Sequence, residues 1–310
     1  MVDATRGPAP ETVPASGVSA GIPRDVTLAK HPHIGRWITA IVIVAFVLWI
    51  VVSAATNPNL DWAIVGHYLL NTNILEGLLL TLQLAIIAQV IALIVGLVIA
   101  FFRLSTNPVL QTFAIGYLWL FRSTPLLVLI LIAGNIALFI PNITIGVPFT
   151  DIVFVSGNTN TIIPAFAAAV IALVLHDSAY DSEIIRSGIL SVDSGQQEAA
   201  SALGLTWWQT QRRIVLPQAL RVMVPPLANQ FVTLLKSTAL VSVIGVTDLL
   251  TEAQNISANN LRTIELLLVA TIWFLIVTSL ASIGQRYIER RLGRGNAQQK
   301  RKTAVKAEQA

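Results

Sequence analysis

Six long apolar segments decide what this chain of 310 residues can fold into. A helix needs about 20 consecutive, mostly apolar residues to cross a bilayer. Segments of this kind occupy residues 37–55, 74–102, 112–140, 162–185, 222–246 and 264–288. Only 12% of all residues are charged, whereas a soluble domain carries about 25%. The sequence therefore predicts an all-α membrane protein with about six transmembrane helices.

The positions of the basic residues predict how these helices are oriented, because Lys and Arg accumulate in cytoplasmic loops. Of the three loops on one side of the membrane, only the loop before the sixth segment contains a basic residue, Arg262. The basic residues on the opposite side are Arg24, Lys30, Arg36, Arg103, Arg186, Arg212, Arg213, Arg221 and those from Arg286 onward. Both termini are therefore expected in the cytoplasm.

The two ends of the chain are predicted to lie outside the membrane. Residues 1–35 are rich in Pro, Ala, Gly, Ser and Thr without an apolar period, which is typical of a disordered cytoplasmic tail. Residues 291–310 form a basic cytoplasmic tail, which would be attracted to the anionic headgroups of the lipid bilayer. This placement argues against nucleic acid as a partner. Since there is no cysteine and the four histidines are scattered, no metal site is expected.

The segment 194–217, between the fourth and fifth apolar segments, is predicted to form two short helices. Ser194 followed by Gln197 fits a capping box, and the helix that begins there can run to Leu203. Gly204 then ends this helix, since glycine accepts the left-handed conformation of a helix C-terminus. The small side chains of the first helix, which would let another backbone approach closely, are Ala199, Ala200 and Ala202.

The second short helix is predicted to begin at Thr206, which with Gln209 fits another capping box, and to stop at Pro217. Pro225 and Pro226 are expected to break the chain further as it re-enters the membrane.

The tryptophans of this second helix, Trp207 and Trp208, provide the large contact area that is enriched at protein interfaces. An amphipathic helix that lies on the membrane, with its tryptophans among the headgroups, would have the same composition. Composition alone leaves both interpretations open.

The spacing within this segment resembles the EAA signature of ABC importer permeases. The matching residues are Glu198, Ala199, Ala200, Gly204, Ile214, Leu216 and Pro217. Three further segments resemble motifs of the polar amino acid permease family, in the same order along the chain: residues 121–128, 183–189 and 235–245. Ser123 stands where that family has glycine. Together these matches cover roughly residues 74–292.

The resemblance implies a transport subunit, not an enzyme, in the cell membrane of a bacterium. Residues 70–290 would form the five-helix core of a type I ABC importer permease, with a cytoplasmic coupling loop at 191–220. Residues 36–56 would add an extra N-terminal transmembrane helix. Two permease subunits, identical or homologous, would enclose the pathway for a polar amino acid, which an extracellular binding protein would deliver.

The resemblance also implies two ABC ATPase subunits, each of which would grip one coupling loop. ATP and Mg would bind to those partners, since this chain contains no phosphate-binding loop and is expected to carry no cofactor. The residues expected to contact the ATPase are Glu198, Ala199, Ala200, Gly204, Trp207, Trp208, Ile214, Leu216 and Pro217.

Ionisable residues inside the predicted spans are candidates for contact with the substrate, because a charge at membrane depth is costly and usually faces the bundle interior. Asp177 and Asp181 are four residues apart and share a helix face, with Tyr180 beside them. The two aspartates depart from the family pattern, which favours a positively charged or neutral amino acid as the substrate. The remaining candidates are Arg122, Glu183, Lys236, Gln83 and Gln89.

These remaining candidates also have structural interpretations. Lys236 or Arg122 could neutralise Glu183 within the subunit, and roles in structure and gating are favoured over substrate contact for all three. Gln83 and Gln89 could line the pathway or hold helices together by hydrogen bonds.

An ion-coupled secondary transporter of amino acids is the main alternative function. Such a transporter is typically built from inverted repeats, with broken helices near the membrane midplane. No internal repeat is evident in the sequence, and the spacing of the EAA signature would then be a coincidence. The sequence does not identify the transported amino acid.

Overall fold

The computed structural model describes residues 34–146 and 153–308. The first helix, α1 (Ile34–Ala55), belongs to a separate compact unit that ends at Asn57. Residues 35–55 are exposed, and their composition allows the helix to cross a membrane. The predicted disordered tail, residues 1–35, lies outside the described residues except for the two positions that begin α1.

The second unit, from Pro58 onward, contains the other helices and one short hairpin. Its helices in chain order are α2 (Trp62–Leu69), α3 (Thr72–Leu104), α4 (Pro108–Ser123), α5 (Leu126–Gly134), α6 (Ile136–Phe139), α7 (Thr159–Ile162), α8 (Ala165–Leu190), α9 (Ser194–Ala202), α10 (Trp207–Thr210), α11 (Leu216–Ser237), α12 (Leu249–Asn260) and α13 (Thr263–Glu308). A π-helical turn, Gln211–Val215, joins α10 to α11, and a 3-10 helix, Thr238–Ile244, follows α11. Strands β1 (Asn142–Gly146) and β2 (Val153–Asn158) pair antiparallel between α6 and α7.

Side-chain caps set where the long helices begin. Asn71 at the start of α3 and Asn107 at the start of α4 each accept a hydrogen bond from the backbone N–H two residues further on. Asp248 caps α12 by accepting from the backbone N–H three residues on. These caps stabilise the helix starts because they satisfy N–H groups that have no partner inside the helix.

Four described helical segments are long and apolar enough to cross a membrane, and the bent pair of α4 and α5 is a fifth candidate. The four are Gly35–Ala55, Thr72–Leu104, Trp207–Ile244 and Thr263–Leu292. α8 has 26 residues, which is also enough to cross a bilayer, but polar residues in its second half lower its hydropathy. With α8, the fold agrees with an all-α membrane protein of about six transmembrane helices.

The third predicted span is interrupted. α4 and α5 meet at an angle of 98°. Thr124, between them, is extended (φ −87°, ψ 127°), because a following proline disfavours helical geometry at the residue before it. Pro125 also lacks the N–H that would continue the helix. The segment predicted as the third span, residues 112–140, therefore consists mainly of two helices, α4 and α5, that together remain a candidate span.

α3 and α8 form the centre of the second unit and contact each other more extensively than any other pair of described helices. Gly96 on α3 permits this approach, since a Cβ atom there would lie 3.0 Å from Ser178 O on α8. Small residues of this kind let helices pack closely within a membrane. The buried apolar residues of this centre are Leu84, Ala88, Ile130, Ala169, Ala172, Leu173, Val174, Leu234, Val241 and Val246.

Candidate functional site

Two buried aspartates of α8 lie at the polar centre of the second unit. Asp177 is 2% exposed and Asp181 is 0% exposed. Gln230 Nε2 on α11 donates a hydrogen bond of 2.7 Å to Asp177 Oδ1, and His176 Nδ1 lies 3.3 Å from the same oxygen. Gln89 Nε2 on α3 donates one of 2.9 Å to Asp181 Oδ2. We refer to Asp177, Asp181, Gln89 and Gln230 as the acidic centre.

The hydrogen bonding of the acidic centre is incomplete. Asp177 Oδ2, Asp181 Oδ1 and Gln89 Oε1 are buried and have no hydrogen-bond partner among the described residues. Within residues 34–146 and 153–308, no Lys or Arg forms an ion pair with either aspartate. Because a buried carboxylate without a counter-charge is costly, these oxygens are suited to a cation that carries several N–H donors.

The structure brings part of the predicted set of pathway residues together. Gln89 joins α3 to α8, whereas Gln83 is exposed on α3 and lies outside the acidic centre. Sequence reasoning does not identify Gln230, although an amide inside the fifth apolar segment is the same kind of signal that identified Gln89. In the part of the chain that the structure describes, His, Asp and Glu side chains form no group suited to a metal ion.

A second polar cluster lies further along α8. The guanidinium carbon of Arg122 lies 5.2 Å from the centroid of the Tyr180 ring, in a cation–π contact. Glu183 Oε2 accepts hydrogen bonds from Arg186 Nε (3.0 Å) and Arg186 Nη2 (2.8 Å). Arg103 Nε on α3 lies 3.7 Å from Glu183 Oε1 and completes an ion-pair network at this end of the two helices.

The predicted neutralisation of Glu183 by Arg122 or Lys236 is therefore wrong. Arg186 forms the ion pair with Glu183 instead, because it follows Glu183 by three residues and lies on the same face of α8. Arg122 contacts an aromatic ring, and Lys236 is exposed in the last turn of α11.

A cavity of about 420 Å³ opens beside this second cluster. We refer to it as the arginine cavity, because two guanidinium groups line it. The lining residues that bear on its chemistry are Arg103, Trp119, Arg122, Ser123, Tyr180 and Glu183.

We refer to the segment 194–217 as the two-helix module. The N-cap of its first helix, α9, lies one residue earlier than predicted. Asp193, not Ser194, is the N-cap of α9, and its carboxylate accepts a hydrogen bond of 2.7 Å from Gly195 N. The predicted box of Ser194 and Gln197 is wrong, since a carboxylate one residue earlier is favoured by the positive end of the helix dipole. Gly204 has φ +74° and ends α9 in the left-handed conformation, as predicted.

The second capping box is confirmed. Gln209 Oε1 accepts from Thr206 N (2.9 Å), and Thr206 Oγ1 accepts from Gln209 N (3.4 Å). The helix does not stop at Pro217, because the π-helical turn precedes that residue and Leu216 N donates to Gln211 O, five residues back. This wider turn accommodates a proline ring that would collide with the carbonyl four residues back in an α-helix.

α11 also continues through Pro225 and Pro226, so the predicted break at these prolines is wrong. The second helix of the module is thus continuous with the fifth span, over Trp207–Ile244.

The module presents a mostly exposed surface. Leu203 is 81%, Trp207 71% and Trp208 65% exposed, and Glu198 is exposed beside them. Of the predicted alanine face, Ala200 is 1% exposed and packs inward. The other residues of the predicted contact surface divide into exposed Ala199, Leu216 and Pro217 and partly buried Ile214.

Comparison with known proteins places these features in context. The family described as "Binding-protein-dependent transport system inner membrane component" matches residues 92–294. This range includes α8, the two-helix module and α11. It also includes both aspartates of the acidic centre.

The chain is 35% identical over 297 residues to the arginine transport system permease protein ArgU of Corynebacterium glutamicum, covering 96% of this chain and 90% of that protein. It is 36% identical over 223 residues to the glutamate/aspartate import permease protein GltK of Escherichia coli O6:H1, covering 70% and 92%. A crystal structure of an amino acid ABC transporter with histidines is similar, with a TM-score of 0.64 and 34% identity over 75% of this chain and 99% of that chain.

Proposed function

The chain belongs to the family of binding-protein-dependent transport system inner membrane components and is a permease subunit of an amino acid ABC importer, and on this premise we propose that it transports a basic amino acid. The substrate's cationic side chain would bind at the acidic centre, and ATP hydrolysis would take place on a separate subunit.

The observation that carries this proposal is that two buried carboxyl groups lie together in the acidic centre and that no Lys or Arg of the described residues pairs with either of them. Asp177 and Asp181 receive hydrogen bonds from neutral amides, and each keeps one buried oxygen without a partner among the described residues. A guanidinium or ammonium group would supply both the missing charge and the missing donors. An acidic substrate would instead bring a further carboxylate against these two buried carboxyl groups.

The names of the relatives support this assignment but do not decide it. ArgU is named for arginine, whereas GltK, at nearly the same identity, is named for glutamate and aspartate. Overall identity is therefore a poor guide to the side chain that is carried. The two aspartates provide the stronger argument, because they would contact that side chain.

The two-helix module is the proposed contact with the ATPase. Leu203, Trp207 and Trp208 provide exposed apolar area of the kind that is buried at protein interfaces. The residues proposed for this contact are Glu198, Ala199, Gly204, Trp207, Trp208, Leu216 and Pro217, with Ala200 and Ile214 supporting the module from within. In this arrangement, each module would bind to one ATPase subunit, and ATP and Mg would bind to that ATPase subunit.

The assembly would contain a second permease, identical or homologous, and an extracytoplasmic binding protein that delivers the amino acid. The distribution of Lys and Arg favours cytoplasmic termini in a bacterial cell membrane. The domain boundaries would then be a tail at 1–35, an extra helix at 36–56, the permease core at 70–290 with its coupling loop at 191–220, and a basic tail at 291–310.

Uptake into proteoliposomes tests the substrate class. The vesicles would contain this permease with its ATPase and binding protein, and uptake of labelled L-arginine, L-lysine, L-glutamine and L-glutamate would be compared with and without ATP. We expect ATP-dependent uptake of L-arginine or L-lysine. Asp177→Asn and Asp181→Asn should each lower it by about 10-fold or more, since each removes a buried charge partner of the cation.

Gln83→Ala is the matched control, because Gln83 lies on α3 like Gln89 but is exposed outside the acidic centre. It should leave uptake unchanged. Preferred uptake of L-glutamate, or wild-type uptake of L-arginine by both Asn variants, would contradict the proposal.

A further inference from the structure

The arginine cavity lies next to the acidic centre along α8. Tyr180, which lines the cavity, follows Asp177 by three residues, so the two side chains share a face and are separated by about 4.5 Å along the helix axis. His176 connects them: its ring lies 5.0 Å from that of Tyr180, and its Nδ1 lies 3.3 Å from Asp177 Oδ1. The two sites therefore form one continuous polar strip.

The charge of the arginine cavity is opposite to that of the acidic centre. Arg103 and Arg186 both pair with Glu183. Arg122 forms no ion pair within the described ranges, and its contact is the face of the Tyr180 ring. The cluster therefore has more guanidinium groups than carboxylates, and it is suited to an anion.

The backbone next to Arg122 favours an anion as well. The chain breaks immediately after this residue, where α4 ends and turns by 98° into α5. No side chain of the described residues caps the N-terminus of α5 at Pro125. The positive end of a helix dipole at a break within a membrane span is a favourable position for a negative group.

We propose that Arg122 binds the α-carboxylate of the transported amino acid. This inference rests on the proposed function, since it places the cationic side chain of the same molecule at Asp177. The guanidinium of Arg122 lies against the Tyr180 ring and lines the cavity. A guanidinium is planar, and its paired N–H donors match the two oxygens of a carboxylate. Arg122 thus recognises the group that all amino acids share, while the acidic centre recognises the side chain.

The cavity volume of about 420 Å³ fits this assignment. It lies in the range of roughly 300–1,000 Å³ that is typical of small-molecule pockets. Trp119 and Tyr180 provide apolar walls, and Arg122 provides the charged contact that fixes orientation.

Direct binding to the purified permease–ATPase complex in lipid nanodiscs tests this inference. The binding protein is left out, because its own preference for a carboxylate would hide that of the permease. Three probes would be compared: L-arginine, agmatine, which lacks the carboxylate, and L-citrulline, which keeps the carboxylate but has a neutral side chain. The wild-type complex should bind L-arginine about 10-fold or more tightly than agmatine, the gain expected of one charge-assisted pair.

Arg122→Gln should weaken binding of L-arginine by about the same factor and leave agmatine unchanged, so that the difference between the two probes disappears. Arg122→Lys, which keeps the charge, should retain part of the difference. Gln83→Ala is the control, because Gln83 is exposed on α3 and lines neither the arginine cavity nor the acidic centre, and it should bind all three probes like the wild type. Size-exclusion chromatography checks that each variant assembles.

The outcomes separate this inference from the proposed function. Equal weakening of L-arginine and agmatine by Arg122→Gln, or no weakening of either, would overturn the role of Arg122 and leave the acidic centre in place. Asp177→Asn should weaken L-arginine and agmatine alike while L-citrulline is unchanged. If it affects none of the probes, the proposed function fails instead. Failure of the wild-type complex to bind L-arginine would overturn both.

Discussion

Gln230 on α11 donates a hydrogen bond of 2.7 Å to Asp177 on α8. Because the amide is neutral, it does not neutralise the carboxylate as a Lys or Arg side chain would. The amide satisfies one oxygen of Asp177 without cancelling its charge. The other oxygen, Oδ2, is buried and has no partner among the described residues. The aspartate is thus held in place while its charge remains available to a ligand.

Replacing Gln230 by lysine tests this relationship. The ammonium group of Gln230→Lys would neutralise Asp177 from within the protein, so we expect a higher melting temperature without substrate and loss of L-arginine binding. Gln230→Leu is the control, since it removes the donor without adding a charge. It should lower stability by about 1–3 kcal/mol, the cost of an unsatisfied buried acceptor. Retained L-arginine binding in Gln230→Lys would contradict this explanation.

Gly96 should not tolerate a side chain. A Cβ atom there would lie 3.0 Å from both Asp181 Cβ and Ser178 O, and backbone atoms cannot move aside as a flexible side chain can. Gly96→Ala should therefore push α3 away from α8 and lower the melting temperature measured in detergent. Gly116→Ala is the matched control, because Gly116 is an exposed helical glycine on α4 whose added Cβ atom would meet no neighbouring part of the described chain within 4 Å. That change should be neutral or stabilising by about 0.5–1 kcal/mol.

Gly204 is expected to be required for backbone reasons. Its φ of +74° is costly for a β-branched residue, so Gly204→Val should displace α10 relative to α9. Gly204→Asn should be tolerated, since asparagine visits this conformation more readily. Co-purification with the ATPase is the measurement, and we expect a loss for the valine variant alone. Equal association of both variants would mean that the turn does not position a contact surface.

Cysteine crosslinking can distinguish an ATPase contact from a membrane contact, because the chain contains no cysteine. Ala199 is the suitable position, since it is exposed, whereas its neighbour Ala200 is only 1% exposed. Ala199→Cys should crosslink to a cysteine placed on the ATPase and should be protected from lipid-phase reagents. Labelling from the lipid phase without any crosslink would instead favour a module that lies among the headgroups.

Glu252 on α12 should make stability depend on pH. Burial raises the pKa of Glu252 above its ordinary value of 4.5, and the neighbouring carboxylates of Glu76 and Asp248 raise it further. The folded state therefore favours the protonated form of Glu252. The contribution of protonated Glu252 to the free energy of unfolding is fully present below pH 4.5 and is lost as the pH rises through the pKa of Glu252 in the folded state. Glu252→Gln should raise the melting temperature at neutral pH, and this gain should shrink as the pH falls. A gain that is constant with pH would rule out this titration.

The sequence predicts the long helices well and their interruptions poorly. The apolar segment 74–102 lies within α3 (Thr72–Leu104), because hydropathy reports directly on the length of a span. The same signal runs without a gap across Thr124 and Pro125, where the structure bends. Hydropathy contains no information on the direction of the backbone. In this segment, Pro125 is the sequence feature that indicates the bend.

The acidic centre is predictable only in part, for a related reason. The spacing of Asp177 and Asp181 places both on one face of a helix, and this requires only local geometry. Their partners Gln89 and Gln230 lie 92 and 53 residues away from the aspartates they contact. No periodicity within a helix states which faces of different helices meet, so these contacts are visible only in the folded structure.

The π-helical turn joins α10, the second helix of the module, and α11 into one helical rod without an intervening loop. Trp208 lies at one end of this rod, and Gln230, which holds Asp177, lies on the same rod within the membrane. If an ATPase grips the module, its displacement cannot be absorbed by a loop and must either shift Gln230 or bend α11 at Pro225 and Pro226. Displacement of the module by the ATPase would then be coupled, through α11, to the hydrogen bond between Gln230 and Asp177 that holds the acidic centre.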